Sequence, residues 1–209
     1  MSSLAPALLT GEARTGREAP PGEGATSPIA ALVERAREGD GRAFDRLMVE
    51  TQERVMGLAW RLLGSREEAR DASQEVYLRV FRHLGRFRAG EDFHAWLYRI
   101  TVNVCRDSIR RRRRNPPAPA FPVEPSRPPE AEEDLLGAER WNLLLEALAS
   151  LPPKERAALV LRDLEGLTSE QVARLLGSRA ATVRGQIASA RLRIRNFCVA
   201  LIGGREALP

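Results

Sequence analysis

Arg99, Asn103, Arg106 and Arg110 recur at steps of four, three and four residues, which sets them on one face of a helix. An asparagine in mid-helix competes locally with the backbone, so its presence calls for a reason. Its amide can read a base edge while flanking guanidinium groups hold phosphates. Phe87, Phe93, Trp96 and Tyr98 lie on this stretch or just before it. Aromatic rings beside arginine are what stacking on an unpaired base requires. Taken alone, the same residues also suit a solvated arginine face with Trp96 in a core.

A second pattern runs Leu167-Thr168-x-x-Gln171-Val172-Ala173-x-x-Leu176-Gly177, then Ala181-Thr182-Val183-Arg184. Ala173 lets two helices cross closely, and Gly177 permits a tight turn. Val172, Leu176, Val183 and Ile187 have the spacing to fill the space between the helices. The second helix then offers Thr182, Arg184, Gly185, Ala188 and Ser189 on its N-terminal half, where a recognition helix meets the major groove. Arg179, Arg191 and Arg195 are placed to contact phosphates. The plainer alternative is a helical hairpin with a solvated arginine face. Upstream, Asp71, Gln74, Glu75, Leu78 and Arg82 share a third face. A leucine on a polar, outward stripe points to a partner surface.

Other chemistries find little support. His83 and His94 are the only histidines, and neither sits in a metal-ligand or triad spacing. No glycine-rich phosphate loop occurs. Cys105 and Cys198 are far apart and outside any C-x-x-C spacing, so two ordinary thiols are expected. The expectation is therefore a protein that is not an enzyme, with no metal and no cofactor.

Charge divides the 209 residues. Net charge is −1 over residues 1–27, +6 over 28–115, −4 over 116–136 and +4 over 137–209, giving +5 in all. The basic residues are nearly all arginine, which suits nucleic acid, although a GC-rich genome produces the same bias. Residues 116–136 are acidic and proline-rich, as an extended tether would be. Residues 1–27 read as a disordered tail and 202–209 as a short C-terminal one. No run of about 18 uncharged apolar residues predicts a membrane span, and no signal peptide is evident. A cytoplasmic protein without membrane insertion is expected.

Both basic blocks read as helical, giving an all-α fold of two small domains, 28–115 and 137–201, joined by a flexible linker. Helices are predicted over 28–38, over 41–63 with Gly64 as terminator, and from the capping pattern Ser65-Arg66-Glu67-Glu68 to Leu84. A loop over 85–92 leads to a fourth helix ending in Arg110–Arg114. The second block is predicted to hold helices over 135–151, from Pro152-Pro153 to Gly166, from Thr168 to Leu176, and from about Ala180 to Leu201.

These motifs, in this order across a proline-rich connector, resemble an extracytoplasmic-function (ECF) sigma factor of the sigma-70 family. The stretch Ala69-Arg70-Asp71-Ala72-Ser73-Gln74-Glu75-Val76-Tyr77 is similar to the family's core-binding segment. Phe93-His94-Ala95-Trp96-Leu97-Tyr98-Arg99-Ile100-Thr101-Val102-Asn103 is similar to its promoter-melting helix. Leu151-Pro152-Pro153-Lys154-Glu155-Arg156 and Arg162-Asp163-Leu164-Glu165-Gly166-Leu167-Thr168 resemble the opening of its C-terminal domain. The chain departs from the family at Arg70, Ala181 and Gly185-Gln186, where the family usually has an acidic residue, Gly and Ser-Arg.

The resemblance implies an alternative sigma factor that binds core RNA polymerase, directs it to specific promoters and helps melt the −10 element. Asp71, Gln74, Glu75 and Leu78 would dock on the β′ clamp. Phe87, Trp96, Arg99, Asn103 and Arg106 would contact −10 DNA, with Phe87 and the loop to Phe93 accepting a flipped base. Arg179, Thr182, Arg184, Ser189 and Arg191 would contact the −35 element, with Arg184 best placed. The second domain would also sit on the β flap, and the acidic linker would pass near the RNA exit path. An anti-sigma factor is implied as a further partner. A dimeric helix-turn-helix regulator is the rival, and the first block separates the two.

Overall fold

Short polar side chains start the helices and glycines stop them. Asp40 Oδ1 accepts from the Ala43 N–H at 3.1 Å and opens α2 (Gly41–Leu63), just after α1 (Pro28–Arg37). Gly64 closes α2 in the left-handed region, at φ 79°, donating its N–H to the Trp60 carbonyl at 2.8 Å. The next residue, Ser65, accepts from the Glu68 N–H at 3.2 Å and restarts the chain as α3 (Arg66–His83). A single 3₁₀ turn, Leu84–Arg86, occupies the start of the expected loop. Asp92 Oδ1 then accepts from the N–H groups of His94 and Ala95, at 2.9 and 3.3 Å, and launches α4 (Phe93–Arg114).

The structure is a computed structural model that describes residues 28–88, 90–114 and 135–205. The expected N-terminal tail and nearly all of the expected linker lie outside the described residues. Every described element is helical, as predicted. Pairing of α2, α3 and α4 buries Leu47, Val55, Leu58, Val76, Val80, Leu97, Val102 and Val104 almost completely. Thr51 lies inside this bundle. Its hydroxyl bonds the Leu47 carbonyl at 2.7 Å and the Tyr77 hydroxyl at 3.0 Å, so neither polar group is buried unsatisfied.

The second block comprises α5 (Leu135–Ala149), α6 (Pro153–Leu159), α7 (Ser169–Leu176) and α8 (Ala180–Arg205). Pro153 sits in the first turn of α6, where a missing N–H costs nothing. The single helix expected from Pro152 to Gly166 is instead α6 followed by a π-helical turn, Val160–Leu164. The wider turn ends at Gly166, whose φ is 72°. Thr168 and Gln171 form a complete capping box. The last helix runs to Arg205, beyond the expected end at 201.

The two blocks do not hang apart in this arrangement. α2 packs on α5 and α6, and α4 packs on α7. The buried Trp60 ring meets the half-buried Trp141 ring edge-on, with centroids 5.3 Å apart.

Cys105 is buried and Cys198 half-buried, and both are free thiols. Burial pushes the Cys105 thiol up to about 12. One thiol per native chain should therefore react with a disulfide reagent at pH 8, and two in denaturant. Equal reaction of both thiols in the native protein would contradict the packing of Cys105.

Candidate nucleic-acid and partner interfaces

The polar stripe of α4 is outward, as the spacing predicts. Arg99, Asn103 and Arg110 are exposed and Arg106 is half-buried. The opposite face carries Leu97, Tyr98, Thr101, Val102 and Cys105 into the core, which fixes the stripe's orientation. Beside the stripe, Phe87, Phe93 and Trp96 form one aromatic cluster with centroid separations of 5.4 to 5.8 Å.

Phe87 differs from its expected role as a base acceptor. It is only 4% exposed, its ring covered by Phe93 and Trp96, so it cannot stack on a base in this arrangement. Folding the 3₁₀ turn over α4 buries an apolar ring in preference to leaving it in water. Trp96 is the half-buried member, and its ring rests on Phe87 and Phe93. Tyr98 faces the other way: its hydroxyl donates to Glu165 Oε2 at 2.9 Å.

On α3, Asp71, Gln74 and Leu78 are exposed, and Leu78 retains half of its surface. Glu75 is half-buried and tied. It accepts from Arg79 Nε at 2.7 Å, and Arg79 also donates to Asp107 of α4 at 3.2 Å. The two carboxylates raise the Arg79 pKa, the Glu75 hydrogen bond foremost. Sequence reasoning missed Phe81. It is 68% exposed, one turn beyond Leu78, and its ring edges onto Phe44 at 5.3 Å. Its position three residues after Leu78 on a polar helix was the available signal.

In the second block Gly177 turns the chain at φ 62°, with nothing within 4 Å of where a Cβ would stand. It is needed for its backbone angle alone. Val172, Ala173, Val183, Ile187 and Ala190 are buried between the helices. Thr182, Arg184, Gly185, Ala188 and Ser189 line the exposed side of α8. Arg179 is exposed as well. Arg184 makes one exposed bond to Glu170, at 3.3 Å. Arg191 is held more firmly. Its Nε and Nη2 donate to Asp163 at 2.9 and 2.7 Å, a bidentate pair that competes with the phosphate role expected for it.

The two candidate surfaces meet. Arg106, Arg110 and Arg113 of α4, Lys154 of α6, and Thr182 and Gln186 of α8 line one cleft of about 330 Å³. Its floor is apolar and includes Cys105, Ile109 and Leu176. Among the described residues, no three His, Cys, Asp or Glu side chains cluster as a metal site. No described helix is long and apolar enough to cross a membrane.

Comparison with known proteins separates the sigma-type reading from the regulator reading. The family model described as Sigma-70 region 2 matches residues 47–115, and that described as Sigma-70, region 4 matches residues 141–194. The RNA polymerase sigma-H factor of Pseudomonas aeruginosa is 35% identical over 170 residues, covering 77% of this chain and 88% of the relative. The ECF RNA polymerase sigma-E factor of Haemophilus influenzae is 32% identical over 176 residues, covering 79% and 93%. Among solved structures, CnrH in complex with the cytosolic domain of CnrY shares the fold, with a TM-score of 0.60, 24% identity, and coverage of 82% of this chain and 97% of that one. The sigma factor RpoE of Bartonella quintana, solved with the anti-sigma factor NepR, also has a TM-score of 0.60, at 20% identity, covering 73% of this chain and 94% of that one.

Proposed function

Because this chain belongs to the extracytoplasmic-function group of the sigma-70 family, we propose how its residues divide the family's work. It is an alternative sigma factor: it binds core RNA polymerase, directs the enzyme to specific promoters and helps melt the −10 element. It performs no bond chemistry itself and works in the cytoplasm, with the polymerase. Promoter DNA and an anti-sigma factor complete its partners.

The observation that carries the residue assignment is the outward stripe of α4 beside a half-buried indole. Asn103 is exposed between Arg99 and Arg106, and Trp96 lies two helical turns earlier on a firm aromatic base. A flipped base needs a flat partner and a polar edge reader, and these residues supply both. Phe87 supports Trp96 from beneath and does not touch the base directly. Asp71, Gln74 and Leu78 present the docking surface for the β′ clamp, and Glu75 orients that surface through Arg79. The exposed half of α8, with Thr182, Arg184 and Ser189, and Arg179 just before it, meets the −35 element, and the second block rests on the β flap. Arg191 serves the fold through Asp163 until DNA phosphate displaces that partner.

Two weak DNA surfaces on one polymerase gain effective concentration from each other, so neither needs to bind tightly alone. Run-off transcription with core polymerase on genomic fragments tests the reading. Asn103→Ala should lower open-complex formation by about tenfold, roughly 1.4 kcal/mol for a lost base-edge contact, and leave core binding intact. Equal loss of opening and of core capture in a pull-down would remove the assignment.

A further inference from the structure

Arg106, Arg110 and Arg113 give one face of α4 to the 330 Å³ cleft, and Lys154 of α6 gives it a fourth cation. None of the four pairs with a carboxylate among the described residues, and no described Asp or Glu lines the cleft. Arg112, in the same run but outside the cleft, is met by Glu68 at 3.2 Å. Like charges gathered over an apolar floor repel one another more than they would in water, and a bound anion relieves them. The first turn of α8 contributes Thr182 to the same lining. The positive end of that helix adds to the field.

Charge alone would suit any anion, but two further features narrow the class. The floor is apolar, with Leu62, Val102, Ile109, Ala157 and Leu176, so the ligand carries a flat or greasy body beside its charge. Gln186 also lines the cleft, and its Oε1 is buried with no hydrogen-bond partner among the described residues. An acceptor left in that state is costly. The soft terminal torsion of the amide lets it turn to a donor in the cleft. Gln186 stands where the family usually has arginine, so this lining is particular to this chain. Size favours a small molecule. One turn of a partner helix, about 10 Å across and about 5.4 Å high, already exceeds the cleft's volume. Several phosphates, a ring and a neutral donor together describe a nucleotide.

We propose that this cleft binds a nucleoside diphosphate, with its phosphates on the three arginines and Lys154, its base on the apolar floor, and a ribose hydroxyl or base amine donating to Gln186. Filling the cleft would withdraw Arg106 from −10 DNA, a consequence that rests on the promoter reading above. Isothermal titration of the full chain with ADP, GDP and inorganic pyrophosphate tests the site directly. One of the two nucleotides should bind saturably, one per chain. Pyrophosphate should bind about tenfold or more weakly, because it leaves the floor in water. Lys154→Gln and Arg113→Gln, both at exposed positions on different helices, should each weaken the nucleotide by about tenfold. Gln186→Leu should weaken the nucleotide and leave pyrophosphate unchanged. Arg174→Gln, at an exposed position outside the cleft, should bind as wild type. The proposal is overturned by the absence of saturable nucleotide binding, by pyrophosphate binding as tightly as the nucleotide, or by an equal loss in Arg174→Gln. Tighter binding of a hexaglutamate peptide than of either nucleotide would give the cleft to an acidic partner chain and overturn it as well. Run-off transcription with the wild-type chain is the parallel arm. Saturable nucleotide binding without any promoter-specific transcript would refute the functional reading and leave the site standing.

Discussion

Arg184→Ala should weaken holoenzyme binding to promoters bearing a −35 element by about 1–3 kcal/mol, and relax the preference for that element's bases. Arg184 lies in the second turn of α8, on the side left exposed when Val183 and Ile187 turn inward. A guanidinium there can present two parallel donors to guanine O6 and N7. In the free chain it pairs with Glu170 at 3.3 Å, and both side chains are about 60% exposed. Such a pair contributes little and yields readily to DNA. Arg179→Ala is the comparison. A phosphate contact should cost affinity uniformly across sequences and reduce the salt slope by about one. Fluorescence anisotropy with intact and scrambled −35 sequences separates the two. A footprint over the −35 region that Arg184→Ala leaves unchanged would refute the assignment.

Arg156→Ala should destabilise the fold by roughly 2–4 kcal/mol, the cost of stranding buried acceptors once served by a charged donor. Arg156 is only 9% exposed. Its Nη2 donates to the carbonyls of Ala149 and Leu151, at 2.8 and 3.3 Å, and its Nη1 to Leu62, at 3.0 Å. Those carbonyls close α5, the turn before α6, and the C-terminal end of α2. One side chain thereby caps helix ends from both blocks. Burial lowers its pKa, with a smaller push from Arg112. Arg156→Met retains most of the packing and isolates the hydrogen-bond loss. Urea unfolding should place it near the alanine variant. A methionine variant as stable as wild type would show that packing, not carbonyl capture, is what Arg156 supplies.

Local signals were readable along the chain. Gly64 followed by Ser65, and Thr168 with Gln171, announce their helix ends because caps depend on neighbours a few residues away. The apolar periodicity of α2, α3 and α4 likewise names the core, from Leu47 to Val104. The outward Asn103 and Arg184 follow from the same periodicity. Contacts across long separations were not readable. Arg61 and Glu165 are 104 residues apart, and nothing in the periodicity of either segment pairs them. The same holds for Arg191 with Asp163, and for Arg156 with Leu62. For Phe87 the resemblance implies a base-accepting role, whereas the ring is buried. Its burial depends on how the 3₁₀ turn folds onto α4, a tertiary matter that loop composition does not encode.

The edge-on indoles of Trp60 and Trp141 give the molecule an optical gauge of its own state. Two coupled chromophores at 5.3 Å produce an ultraviolet dichroism signal that neither gives alone. Each ring is carried by a different half of the chain, so the signal vanishes when the halves part. Parting of the two blocks during unfolding can thus be timed in a stopped-flow cell with no dye attached.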